Sequence, residues 1–151
     1  MSASFRIRRA RMGDLDALVA LEEASFDHDR VSRAQWRRHL RSGSACVLVA
    51  ERGTTVSGCA LLFLRRGNRN ARLYSIAIAY TSRGRGVGAA LLQAVEAEAR
   101  ARGCVTMRLE VRTDNAAAIA LYEKRCYIRR KREPGFYENG ADAWRYEKAL
   151  D

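Results

Sequence analysis

Residues 73–99, LYSIAIAYTSRGRGVGAALLQAVEAEA, constrain the fold of this chain more than any other stretch. An apolar run of strand length passes through three glycines into an amphipathic helix. Val87, Leu91, Leu92, Val95 and Ala99 recur at helical spacing, and Gly103 supplies the stop. A strand that ends in glycines and opens into a helix N-terminus is built for an anion. Glycines let backbone N–H groups face inward without a Cβ in the way, and the helix end carries partial positive charge. The letters fit two patterns. As G-x-G-x-x-G/A, residues 84–89 match a dinucleotide fingerprint, with Glu110 in the following strand as the ribose-binding acid. Two facts oppose that reading. Residues 79–83 intervene between strand and first glycine, and only about forty residues follow Glu110, too few for the further β-α units of a doubly wound domain. A P-loop is excluded because no Gly-Lys-Ser/Thr follows. The remaining reading is R-x-x-G-x-G, with Arg83, Gly86 and Gly88 as its fixed positions.

The rest of the chain supplies alternating elements. Phe5 and Ile7 alternate with arginines as in a half-buried strand, and Asp14 opens a helix with Leu15, Leu18, Val19 and Leu21 on one stripe. Ser32 and Gln35 have capping-box spacing for a short second helix to Arg41. ACVLVAE (45–51) and SGCALLFLR (57–65) form a hairpin, ARLYSIAIA (71–79) is a third strand, and VTMRLEVR precedes a helix capped by Asn115. Two last strands flank the hairpin signal Asn139-Gly140. The expected order is β-α-α-β-β-β-α-β-α-β-β, an α/β fold with a mixed sheet and helices on both faces. It is expected as one domain over residues 1–151, long enough to bury roughly 68–70% of its unfolded surface.

Composition narrows the partners. The formal net charge is +11, and of 28 basic residues only Lys124, Lys131 and Lys148 are lysines. Such a field suits anionic partners, although RRKR at 129–132 lacks the interleaved aromatics of a base-stacking surface, which argues against nucleic acid. Cys46, Cys59, Cys104 and Cys126 show no CxxC pairing and sit among apolar neighbours, as reduced buried thiols of a cytoplasmic protein do. His28 and His39 lie far from any cysteine pair, so no metal site is expected. No signal-peptide run and no stretch of about 18 apolar residues points to a membrane.

With Arg83, Gly86 and Gly88 directly after LYSIAIA, the chain resembles the GNAT acetyltransferase superfamily, whose acetyl-coenzyme A pyrophosphate loop has this pattern at this place. LEVRTDNAAAIALYEKRCY at 109–127 looks like the corresponding segment of the bacterial ribosomal-protein alanine N-acetyltransferases. The resemblance covers essentially the whole length and implies acetyl-CoA as donor. By that resemblance Arg83, Gly84, Arg85, Gly86, Val87, Gly88 and Ala89 form the pyrophosphate loop, Asn115 contacts the cofactor, and the backbone of Ile76, Ala77 and Ile78 runs beside the pantetheine arm. Glu110 matches the catalytic base and Tyr122 the catalytic acid. The segment 26–31, with Asp27 and Asp29, and the segment 134–140, with Phe136, Tyr137 and Glu138, match the walls of the acceptor groove. Cys126 stands where the family has glycine, so a left-handed helix terminus there needs another residue or geometry.

The chemistry sets its own demands. In RLEVR, Leu109 and Val111 share one face while Arg108, Glu110 and Arg112 share the other. Glu110 therefore either reaches a cleft as a base or pairs with Arg108 or Arg112 on the sheet surface. Tyr122 is either a proton donor to a thiolate or a core tyrosine stacked on Ile119. Neutralising a lysine of pKa about 10.4 at pH 7 costs about 4.6 kcal/mol, against about 1.4 for an α-amine of pKa near 8. One carboxylate suits the easier task, which fits a peptide N-terminus, of a ribosomal protein or another chain, and leaves lysine, polyamine and small amines open as acceptors. No cysteine has a nucleophile setting, which leaves direct transfer. The competing expectation is a non-catalytic acyl-CoA sensor or a basic RNA-associated module.

Overall fold

The computed structural model describes residues 4–151. In chain order the elements are β1 (Arg6–Arg9), α1 (Leu15–Ser25), α2 (Arg33–Arg41), β2 (Ala45–Arg52), β3 (Thr55–Phe63) and β4 (Asn70–Ile78). They continue with α3 (Val87–Ala101), β5 (Thr106–Arg112), α4 (Ala116–Lys124), β6 (Ile128–Glu133) and β7 (Ala143–Ala149). This is the expected order. Two helix starts, of α2 and α4, are where their caps place them. Gln35 N–H donates to Ser32 Oγ (3.1 Å) while Ser32 N–H donates to Gln35 Oε1 (2.8 Å), a complete capping box. Asn115 Oδ1 accepts from Ala118 N–H (3.1 Å) and starts α4.

The seven strands form one sheet in the order β1-β2-β3-β4-β5-β7-β6. Only β4 and β5 run parallel, and α3 is the crossover such a pair demands. On one face α3 packs Leu91, Leu92 and Val95, none of them exposed, against Leu62, Leu73, Met107 and Leu109. On the other, α1 and α2 cover Val47, Val49, Cys59 and Leu61 with Leu18 and the fully buried Trp36. Burying each such side chain is worth about 1.5–3 kcal/mol. Trp36 anchors an otherwise basic helix, RAQWRRHLR.

Two irregularities open the sheet. The β3–β4 register passes from Leu61↔Ser75 to Leu62↔Leu73, which leaves Tyr74 as an extra residue in a β-bulge. The β4–β5 ladder ends at Leu73↔Leu109, so from Tyr74 onward β4 keeps β3 alone as a neighbour. Beyond that point the two parallel strands fork.

Cys126 corrects an expectation. No other residue takes over the left-handed terminus of α4; Cys126 itself adopts φ 74°. Tyr127 N–H donates to Tyr122 O (3.0 Å) and Cys126 N–H to Glu123 O (3.2 Å), the two bonds of a Schellman motif. A Cβ in that conformation costs roughly 1–2 kcal/mol. Cys126→Gly is therefore expected to raise the melting temperature by about 2–4 °C, measured by thermal denaturation under reducing conditions. Nor are all four thiols buried, because Cys126 is exposed while Cys46, Cys59 and Cys104 are not. The last hairpin also differs from a tight turn at Asn139-Gly140. Residues 134–142 form a longer loop, within which Gly140 N–H bonds Tyr137 O (2.9 Å).

Candidate functional site

The fork between β4 and β5 opens into a cleft of about 770 Å³. Its walls come from every element that meets there. β4 gives Tyr74, Ser75 and Ile76, β5 gives Glu110, Val111 and Arg112, and α4 gives Asn115, Ala118 and Tyr122. Glu22 of α1 and residues 25–29 close one side, and Phe136, Tyr137 and Asn139 of the β6–β7 loop close another. Glu110, Tyr122, Asn115, Ile76, Asp27, Asp29, Phe136 and Tyr137 are thus brought to one space from five separate stretches of chain.

Other expected site residues lie elsewhere. Residues 83–89 are outside this cleft, at the head of α3. Ala77 points into the α1–α2 core, and Ile78 packs against the core on the α3 face. Glu138 does not line the cleft; its N–H donates to Asp29 Oδ1 (3.3 Å), which ties the two loops together. Asp29 is held there with φ 55°.

The glycine loop has the form an anion needs. Residues 79–83 make a 3-10 turn, Tyr80–Ser82, which separates strand from glycines and distinguishes the loop from a direct strand-to-helix turn. Gly84 and Gly86 have φ 77° and 80°, and Gly86 is the residue before the first turn of α3. Among the described residues, no backbone N–H from Gly84 to Ala89 has an intramolecular acceptor. Gly88 lies against α4, where an added Cβ would come within 3.3 Å of Leu121 Cδ2. Arg83 stacks over the exposed Tyr80 ring at 5.7 Å, and neither Arg83 nor Arg85 has an ion-pair partner among the described residues. A row of free N–H groups at a helix head, accompanied by two unpaired guanidiniums, fits a pyrophosphate.

Glu110 is not paired with Arg108 or Arg112. Its Oε1 is 2.9 Å from Arg72 Nη2 and its Oε2 is 3.1 Å from Arg145 Nε, so its partners come across the sheet from β4 and β7. Arg108 pairs instead with Glu147 (2.8 Å), and Arg112 with Asp114 (3.1 Å). The Glu110 side chain is 8% exposed and both its oxygens are engaged.

Tyr122 is buried, and its ring lies 5.8 Å from that of Tyr127. Its hydroxyl makes no hydrogen bond among the described residues. Burial, reinforced by Tyr137, pushes the Tyr122 phenol well above its usual range. Burial and the Glu110 charge likewise push Tyr137 up to about 12. Both phenols keep their protons at any ordinary pH.

Sequence reasoning missed several members of this wall. Glu22 is 2% exposed, its Oε2 accepts from Val31 N–H (2.8 Å), and its Oε1 has no partner. Burial raises its pKa. The signal was present, because Glu22 falls at i+4 from Leu18 on the buried stripe of α1. Ser75 Oγ, also buried without a partner, and Tyr74 depend on the bulge, which no local pattern announces. Arg72 depends on the β4–β5 register.

Residues 13–126 match the model of the Acetyltransferase (GNAT) family. An N-alpha-acetyltransferase of Sulfurisphaera tokodaii is 29% identical over 151 residues, which is 93% of this chain and 90% of that protein. A [ribosomal protein bS18]-alanine N-acetyltransferase of Salmonella typhimurium is 51% identical over a shorter stretch of 53 residues, 35% of this chain and 36% of that protein. An uncharacterized protein of Mycobacterium leprae is 35% identical over 136 residues, covering 87% of this chain but only 37% of that protein's length. The crystal structure of Ard1 from Thermoplasma volcanium superposes with a TM-score of 0.89 at 24% identity, over 99% of each chain. Fold, glycine loop and family model agree, and the chain belongs to the acetyltransferase (GNAT) family.

Proposed function

We propose that this chain, acting as a single domain, transfers an acetyl group from acetyl-CoA to the α-amine at the N-terminus of a protein or peptide. Ribosomal proteins are among the acceptors this reading includes. The observation that carries it is the cleft in the β4–β5 fork, which gathers Glu110, Tyr122 and Asn115 into one space. The names of the Sulfurisphaera and Salmonella relatives support the α-amine. The buried thiols of Cys46, Cys59 and Cys104 suit a reducing cytoplasm.

When bound, acetyl-CoA supplies a thioester whose carbonyl carbon is open to attack by an amine. The free N–H groups of residues 84–89, with Arg83 and Arg85, hold its pyrophosphate. The backbone of Ile76, Ala77 and Ile78, which β5 has left, lies along the pantetheine arm. Glu110 takes the proton that the attacking amine must lose, directly or through a water. The Tyr122 hydroxyl faces the departing thiolate and supplies its proton. Asp27 and Asp29 draw the ammonium toward the cleft, and Phe136 and Tyr137 pack the flank of the acceptor chain.

The test is acetyl-CoA turnover against a panel of peptides and small amines, with mass spectrometry locating the acetyl group. Acetylation at α-amines supports the reading; absence of turnover on every amine overturns it, and tight acetyl-CoA binding without turnover turns it toward a sensor. Tyr122 carries a pH prediction. An acid whose pKa is raised loses its proton later, so the Tyr122 hydroxyl persists past pH 10. Tyr122→Phe is therefore expected to lower kcat by about 10²-fold while leaving the shape of the rate profile between pH 6 and 10 unchanged. An alkaline limb present in the parent and absent from the variant would contradict this.

A further inference from the structure

Glu110 meets an arriving amine with both oxygens occupied, and its two partners are not equivalent. Arg145 is bound at both ends, by Glu110 Oε2 (3.1 Å) and by Glu133 Oε1 (3.4 Å), in a row that Lys131 extends at 3.7 Å from Glu133. Arg72 has Glu110 as its single anionic partner among the described residues, through Nε at 3.0 Å and Nη2 at 2.9 Å. The Arg72 side chain is 44% exposed and lines the cleft. Its guanidinium also lies 5.5 Å from the centre of the Tyr74 ring, the residue the bulge turns outward.

We propose that Arg72 is a resident stand-in for the acceptor: its guanidinium occupies the ammonium-binding position at Glu110 and is displaced when a primary ammonium arrives. This rests on the role given to Glu110 under the proposed function. The exchange conserves charge at Glu110, since one cation leaves its Oε1 as another takes its place. An added ammonium would otherwise have to share a carboxylate already held by two guanidiniums, with Arg112 nearby on the same wall. Asp27 and Asp29 line the same cleft and add negative charge that draws a cation into it. The contact with the Tyr74 ring, already present at 5.5 Å, is one the guanidinium can keep after it leaves Glu110. Arg145, locked at both ends, keeps Glu110 oriented throughout. The pair therefore divides one task, Arg145 holding the carboxylate and Arg72 reserving its free edge for a cation. Neutral and anionic small molecules gain nothing from the exchange, so the device selects protonated amines before one is deprotonated for attack.

The experiment measures the affinity of a peptide with a free N-terminal alanine, by calorimetry in the presence of coenzyme A, and its KM in turnover. Arg72→Ala removes a competitor, so Kd and KM for the peptide are expected to fall about two- to fivefold, the range of an exposed ion pair. Arg72→Gln is expected to do the same, and Arg72→Lys to stay near the parent. Methylguanidinium ion, added at millimolar concentration to Arg72→Ala, is expected to compete with the peptide and restore the parental value, without effect on the parent. In a Glu110→Gln background the Arg72→Ala change is expected to have no effect on Kd. Unchanged or weakened peptide affinity in both Arg72→Ala and Arg72→Gln, or no competition by methylguanidinium, would overturn the proposal. Calorimetry keeps the two readings apart. Exchange without turnover fails the transferase reading alone, whereas turnover with unaltered peptide affinity fails the exchange alone.

Discussion

Glu110→Gln is expected to lower kcat/KM for a peptide α-amine by about 10²–10⁴-fold, the range for loss of a positioned proton acceptor, while acetyl-CoA still binds. The substitution is isosteric, and its effect on the fold is contained. Arg145 keeps Glu133 as a partner at 3.4 Å, and Arg72 is exposed enough to find water. The strand itself is held by the full β5–β7 ladder from Thr106 to Arg112 and by Leu109 and Val111 on the core face. What disappears is the carboxylate's capacity to accept a proton at the head of the fork. The amine then arrives still protonated in most encounters, with no lone pair for attack, and must first lose its proton to bulk water. Steady-state kinetics with an alanine-started peptide, beside calorimetry with acetyl-CoA and a melting curve, separates these effects. A variant that melts normally, binds acetyl-CoA and retains the parental rate would leave Glu110 as a rung of the sheet's ion-pair row and nothing more.

How much of this was legible in the chain divides by range. Caps and periodicity are local, and they placed the elements: Ser32 and Gln35 start α2, Asn115 starts α4, and the stripe from Val87 to Ala99 is the buried face of α3. The glycine loop was equally readable, because its φ values and its unpaired N–H groups follow from residue type and from the helix behind it. The partners of Glu110 were not. Alternation along RLEVR names its own neighbours, Arg108 and Arg112, whereas the actual pairing depends on which strands lie on either side of β5. Those are β4 in parallel, with Arg72 beside Arg108 in register, and β7 antiparallel, with Arg145 opposite Glu110. The cleft depends on a still less local event, the bulge at Tyr74 that ends β4–β5 pairing and lets the strands part. Cys126 shows the reverse case. Its type argues against φ 74°, yet the turn into β6 imposes it, and the helix end keeps both its carbonyl bonds.

The charge of the chain also reads differently once strands are aligned. β5, β6 and β7 carry Arg108, Arg130, Lys131 and Arg145 interleaved with Glu110, Glu133 and Glu147, so cation and anion alternate across three strands. Much of what looks like a basic field in the sequence is there a lattice of opposite charges. Arg83 and Arg85 stand outside it, so the charge they bring to the glycine loop is unpaired among the described residues.

That loop carries the second large effect. Gly86→Val is expected to weaken acetyl-CoA binding by about ten- to a hundredfold, with a fall in stability of only about 1–2 kcal/mol. Space is not the obstacle, since a Cβ at Gly86 meets nothing within 4 Å. The obstacle is the backbone, because φ 80° and ψ 10° place Gly86 in the left-handed region that a β-branched residue resists. Relaxing it rotates the adjacent peptide planes and so redirects the free N–H groups beside Gly86. Each charge-assisted hydrogen bond to phosphate is worth about 1.5–3 kcal/mol, so losing one accounts for the expected change in affinity. Gly86→Asn, which tolerates the left-handed conformation, is expected to bind several-fold more tightly than Gly86→Val at equal exposure and greater bulk than glycine. Calorimetric titration of acetyl-CoA into the parent and both variants reads the order. If valine and asparagine bind alike at the parental affinity, the phosphates do not sit on this loop and the free N–H groups serve only to start α3.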